Sequence, residues 1–191
     1  MKEKVINELH DILKNNLCTL KRASRDDSNR IDMCESDIRV VNFDKIPDIY
    51  SKGKGWKGVP NSNDALYVDD DNNWYFIEFK NGKVVKDNVY RKIYDSLIML
   101  IELAIVPDFE FVRKNIIYIL VYNSQKYGKL PESPAREENY SYLFKLASQE
   151  EKLFEIEKFE KYLFDEVHTY TKEMFHEKFV AVMEEKEVSI I

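Results

Sequence analysis

Residues 60–83 read PNSNDALYVDDDNNWYFIEFKNGK. Two apolar runs, Ala65-Leu66-Tyr67-Val68 and Trp74-Tyr75-Phe76-Ile77, flank the polar stretch DDDNN. Strand-forming runs joined by residues that favour turns predict a β-hairpin. A three-residue loop, Asp70-Asp71-Asn72, places residue 64 opposite residue 78, because paired numbers then add to 142. Asn72 would supply the left-handed conformation that such a loop needs. A two-residue loop would slip the register by one and turn Asp64 away from Glu78. In the second arm, strand alternation puts Trp74, Phe76, Glu78 and Lys80 on one face and Tyr75, Ile77 and Phe79 on the other. A charged pair thus ends a strand that is otherwise apolar on both sides. Burying such a pair costs free energy unless its members meet each other or a metal.

Working outward, Asn81-Gly82 makes a turn. Asp87 is expected to cap a helix over 88–106, whose apolar face carries Val89, Ile93, Leu97, Leu100, Ile101 and Ala104 and which stops at Pro107. Residues 115–122, NIIYILVY, lack alternation, as in a strand covered on both faces. Because that strand follows a helical crossover, it is expected to join the sheet parallel to an earlier strand. Upstream, Val5, Ile6, Leu9, Ile12, Leu13, Leu17 and Leu20 recur at helical spacing and predict an amphipathic helix over 3–20. Residues 21–36 are polar and suggest a loop or short helix, and 38–43 a short strand. Residues 47–63, with three glycines and two prolines, are expected to be irregular. Downstream, 137–149 suggest a helix and 153–170 mix strand and helix signals. Residues 171–186 suggest a closing helix with Met174, Phe175, Phe179 and Val182 inward. The expected class is α/β, with a mixed central sheet in an αβββαβ core flanked by helices and a C-terminal α+β extension. One domain over 1–191 accommodates this, with the core in 1–130 and the extension in 131–191.

Composition narrows function. With 191 residues, 44% hydrophobic and 13% aromatic, the chain can bury a substantial core and is not disordered throughout. It has no run of about 18 apolar residues, so no membrane span is expected, and its charged start lacks signal-peptide character. Two cysteines, Cys18 and Cys34, form neither a disulfide framework nor a zinc motif, which favours reduced thiols and a cytoplasmic protein. The net charge is -6, and residues 131–191 hold 8 basic and 15 acidic groups. That imbalance argues against tight binding to a nucleic-acid duplex through a broad basic face. A local basic site remains in SKGKGWKG (51–58), where Lys54, Trp56 and Lys57 combine cations with a stackable ring. The blander and preferred reading of the same loop is mobile surface, with Trp56 capping the core. Asp69-Asp70-Asp71 lacks the Gly and Glu of an EF-hand loop and reads as a solvated turn.

An Asp opening one hairpin arm and Glu-x-Lys on the next, between helices, resembles the PD-(D/E)xK nuclease superfamily. The resemblance covers roughly residues 3–122. Glu-x-Lys alone is weak, since the chain contains it three times, at Glu78, Glu150 and Glu184. Only Glu78 lies on an apolar strand after an arm that opens with Asp. Asn63 stands before Asp64, where the family pattern has Pro. The resemblance implies Mg²⁺ or Mn²⁺ held by Asp64, Glu78 and the Phe79 carbonyl, with Lys80 orienting the attacking water and stabilising phosphate charge. It also implies an acid from the first helix, for which Glu8 is the candidate, and a polar residue from the following helix, for which Lys92 is the candidate. The expected activity is phosphodiester hydrolysis in DNA or RNA. The alternative is a noncatalytic module on an inactive nuclease-like fold, binding a protein partner through the acidic, aromatic C-terminal third. In that case Asp64, Glu78 and Lys80 are a structural ion-pair cluster.

Overall fold

The computed structural model describes residues 1–127 and 152–188. The helix expected over 137–149 lies outside them. Among the described residues, six strands form one mixed sheet in the order β1-β4-β5-β6-β7-β8. These are β1 (Leu17–Thr19), β4 (Arg39–Asn42), β5 (Ala65–Val68), β6 (Trp74–Lys80), β7 (Ile116–Tyr122) and β8 (Glu166–Thr171). The pairs β1–β4, β4–β5 and β5–β6 are antiparallel, whereas β6, β7 and β8 are mutually parallel. The α/β class is therefore as expected, and β8 from the C-terminal segment extends the same sheet. A separate small hairpin, β2 (Arg25–Asp26) and β3 (Ile31–Asp32), stands beside it.

The central hairpin has the three-residue-loop register. Ala65 pairs with Ile77, Leu66 with Phe76, Tyr67 with Tyr75 and Val68 with Trp74. Asn72 has φ 62°, and Asp69 N–H donates to the Asn73 carbonyl to close the loop. Asp69 also accepts from the backbone N–H groups of Asp71 and Asn73 and from Tyr75 and Lys186, so it is a buried anchor of the turn rather than the solvated group expected, while Asp70 and Asp71 stay exposed and pair with Lys2 and Lys186.

Helices cover both faces. On the Glu78 face lie α5 (Lys86–Glu102), α6 (Phe109–Asn115) and the 3₁₀ turn Phe43–Lys45. Phe43 meets Phe76 edge-on at 4.9 Å, and Phe111 meets Trp74 at 5.7 Å. Val89, Ile93, Leu97 and Leu100 of α5 are buried as their spacing predicts, while Ala104 is exposed beyond the helix end. Asp87 is not the cap. Val85 occupies that position, and Asp87 sits in the first turn, where its charge suits the helix dipole. On the opposite face, Phe175 packs on Phe79, and Phe179 packs on Tyr67 and Tyr75. These belong to a helical run made of Lys172–Phe175, a π-turn (His176–Val180) and Ala181–Val188. The π-turn inserts an extra residue into the turn and shifts the face that follows, so Met183 is buried and Val182, expected inward, is 40% exposed.

Two expected segments also take another form. The N-terminal helix is broken into α1 (Glu3–Glu8) and α2 (Asp11–Lys14), and its last residues leave as the edge strand β1. His10 accepts a hydrogen bond from Ile12 N–H and caps the second piece, and Asn15-Asn16, weak helix formers, end it. Residues 46–54 form α4 (Ile46–Lys54) rather than a loop. Pro47 lies in the first turn, where its missing N–H costs nothing, and Gly55 at φ 68° closes the C-terminus. The segment 20–23 forms the short helix α3 (Leu20–Ala23).

Candidate active site

Asp64 immediately precedes β5, and Glu78 lies near the end of β6, so extending the register sets them opposite each other on one face. Beyond Ala65 the ladder has ended, and Phe79 N–H donates instead to Asp64 Oδ2 at 2.6 Å. Asn123 N–H donates to the Lys80 carbonyl, so the backbone groups of Lys80 face β7. Alternation then turns the Phe79 carbonyl towards the Asp64 side.

The third partner comes from α5. Lys92 Nζ donates to Asp64 Oδ1 at 2.9 Å and to Glu78 Oε2 at 3.0 Å, and lies 2.8 Å from Glu78 Oε1. Lys80 Nζ also lies 2.5 Å from Glu78 Oε1. The two contacts on Oε1 are ion pairs without hydrogen-bond alignment. Glu78 is fully buried, whereas Lys80 and Lys92 are each 22% exposed. Burial, then repulsion by Asp64, pushes the Glu78 carboxyl up to about 7, against the pull of Lys92 and Lys80. Burial opposes the Lys92 charge, but Glu78 and Asp64 outweigh it and hold the ammonium above the usual lysine range.

Asp44, which the sequence reading missed, completes the acidic side. It lies in the turn after β4, at the sheet end where β5 begins, and accepts from Ser62 Oγ at 2.7 Å. Surrounding protein, then the Asp64 charge, raises its carboxyl. Because Asp44 keeps an exposed surface, the repulsion is the firmer of the two causes. The signal available was its place just past a strand end on the hairpin's open side. On β7, Tyr118 is fully buried on the Glu78 face, and its hydroxyl has no hydrogen-bond partner among the described residues. Burial and the charges of Glu78 and Asp64 push that phenol well up.

A cleft of about 360 Å³ opens here, lined by Asp44, Asp64, Phe79, Lys80 and, on the opposite wall, Arg25 and Asp26. That wall is the β2–β3 hairpin, moored by Asn81 donating to Asp26 at 2.8 Å. Glu78 and Lys92 do not line the cleft and lie behind Asp64 and Lys80. A larger hollow, about 670 Å³, lies among Met1, Arg39, Asp70 and Glu187 at the hairpin's turn end, far from this chemistry.

The structure does not bring the other expected residues here. Glu8 is exposed beside Val68, Asp69 and Trp74, at the turn end of the hairpin. That is about 13 Å along the strand from Asp64, too far for a ligand, because the helix carrying Glu8 crosses the wrong end of the sheet. Lys54 pairs with Glu102 at 2.6 Å and Trp56 packs edge-on against Tyr50 at 5.5 Å. Glu102 lies about 15 Å along α5 from Lys92, so these residues and the exposed Lys57 form no part of the site.

The oxygens of Asp64 and Glu78 converge on one cation, and the Lys92 ammonium is that cation. The donor set thus fits a small positive ion in chemistry. Among the described residues, no three acidic, histidine or cysteine side chains are grouped to hold a metal, so water would supply the remaining positions. No protein-family model matches the chain, and no curated protein or solved structure matches it significantly. Among the described residues, no helix is long and apolar enough to cross a membrane.

Proposed function

We propose that the protein is a metal-dependent phosphodiesterase acting on DNA or RNA, built like the PD-(D/E)xK nucleases. The observation that supports this best is the meeting of an acid from each hairpin arm at one cation position, with Lys80 beside it on the wall of an open cleft. Asp64 and Glu78 would hold Mg²⁺ or Mn²⁺, with the Phe79 carbonyl turned to the same side. When bound, the ion polarises the scissile phosphate and makes water a stronger nucleophile. Asp64, pinned by Phe79 N–H, keeps its orientation without substrate. Lys80 Nζ, partly exposed, orients the attacking water and offsets charge developing on the phosphate. Arg25, across the cleft, is paired with Asp32 at 3.0 Å and with Asp27, so it offers phosphate only part of its charge.

The test is hydrolysis of end-labelled DNA and RNA oligonucleotides, single- and double-stranded, by purified protein with Mg²⁺ or Mn²⁺. Cleavage lost in both Asp64→Ala and Lys80→Ala supports the reading. Cleavage unchanged in both overturns it.

A second reading is a noncatalytic module on the same scaffold, binding another protein. The complete burial of Glu78 and its neutralisation by two lysines favour it, since such a cluster is self-contained. A tight protein partner whose binding ignores Asp64, together with absence of metal binding, would support it.

A further inference from the structure

We propose that Lys92 is an internal stand-in for the divalent ion, so that the ammonium and the metal are mutually exclusive between Asp64 and Glu78. This rests on the reading of those two carboxylates as a cation-binding pair. The geometry is specific. A single Nζ lies within 3.0 Å of one Asp64 oxygen and of both Glu78 oxygens. A metal bridging the same carboxylates would occupy the space that Lys92 Nζ fills, and with Lys80 Nζ already 2.5 Å from Glu78 Oε1 a third positive charge there would be repelled. Lys92 sits on α5 three residues after Val89 and four before Ser96, both buried, so the helix itself aims the side chain at the pair. Ser96 Oγ accepts from Asn63 N–H at 2.9 Å, and Asp95 accepts from Asn61 N–H at 2.8 Å. These bonds fix α5 against the segment that delivers Asp64. The helix therefore stays in place while the lysine stem moves, and its 22% exposure marks the side on which it leaves.

The consequence is a gate on metal uptake. The fully buried Glu78 and the partly exposed Asp64 repel each other without a counter-ion, and Lys92, together with Lys80 on Glu78, keeps them neutralised until a metal arrives. Only molecules with Lys92 withdrawn accept the ion, so the apparent affinity is reduced by the fraction in which it is withdrawn. Lys92 is thus a positioning residue. A residue that merely held the fold would leave metal affinity unchanged or weaker when removed.

The experiment is a Mn²⁺ titration by calorimetry of the wild type, Lys92→Met and Lys92→Arg. Lys92→Met should bind Mn²⁺ about tenfold tighter than the wild type, with a larger rise in melting temperature on adding the ion. Lys92→Arg, whose guanidinium grips carboxylates in a fork and keeps the fold paired, should bind it more weakly. Equal or weaker binding by Lys92→Met overturns the proposal. If that variant does not fold, unchanged affinity in Lys92→Arg overturns it. No binding to any of the three proteins overturns it too. Tighter binding by Lys92→Met without oligonucleotide cleavage by the wild type sustains this inference and removes the nuclease reading. Cleavage by the wild type with unaltered Mn²⁺ affinity in Lys92→Met does the reverse.

Discussion

Asp64 Oδ2 lies 2.6 Å from the backbone nitrogen of Phe79, so the acid that opens one hairpin arm is bonded to the residue following Glu78 on the other. The side chain stands in for a ladder partner that the short strand β5 no longer provides. One carboxylate oxygen thereby satisfies the backbone, and the other remains for a cation. Asp64→Asn keeps an acceptor for Phe79 N–H, whereas Asp64→Ala leaves that donor unpaired. Asp64→Ala should therefore be less stable than Asp64→Asn by about 1–3 kcal/mol in urea unfolding. Equal stabilities would mean that the bond contributes nothing.

The register depends on the loop. Asn72, at φ 62°, holds a conformation that branched side chains disfavour. Asn72→Val should be less stable than Asn72→Gly by about 1–2 kcal/mol, because both lose the bond to Trp74 Nε1 and only valine strains the backbone. Denaturant midpoints of the two variants measure the difference, and coincident midpoints would contradict it.

Glu78 makes stability depend on pH in a definite direction. Its folded carboxyl titrates near 7, above the ordinary 4.5. Between those values the folded state keeps a proton that the unfolded chain has released, so stability falls as pH rises through the window. The loss is on the order of 3 kcal/mol. Other carboxyls pull the opposite way, notably Asp26, held down at about 2 by Asn81 and Asn29. The measurement is therefore the difference between metal-free wild type and Glu78→Gln from pH 4.5 to 7. The variant should lose the downward component, and parallel curves would refute the assignment.

Phe76 is fully buried beneath Phe43, one alternation step from Glu78 on the same face. Phe76→Ala should cost about 3–5 kcal/mol, and a loss below about 1 kcal/mol would show that the sheet centre repacks.

Much of this arrangement was legible because local chemistry and burial agreed. Of the two loop lengths that DDDNN allows, the three-residue loop gives the observed register, and NIIYILVY reads as the strand covered on both sides that it forms. Where the reading failed, short-range signals had two meanings. Pro47 and Gly55 punctuate a loop or bound a helix, and here they bound α4. The apolar spacing of residues 3–20 survives a break at His10 and another at Asn15-Asn16, so it did not reveal them. The π-turn that exchanges Val182 for Met183 leaves no mark in the periodicity. At the site, Asp64 and Glu78 were found from register alone. Lys92 was expected there only through the resemblance and Asp44 not at all, because both reach the pair through tertiary return of α5 and the turn after β4, which spacing along the chain does not encode. Glu8 was assigned by analogy with a helix whose crossing point the sequence leaves open.

The most direct measurement is a calorimetric titration of the wild type and Asp64→Asn with Mg²⁺ and Mn²⁺ up to millimolar concentration. Saturable binding of one ion by the wild type, lost in Asp64→Asn, is the predicted result. No heat of binding to the wild type, or equal binding by both proteins, would contradict the cation-binding role of the Asp64–Glu78 pair.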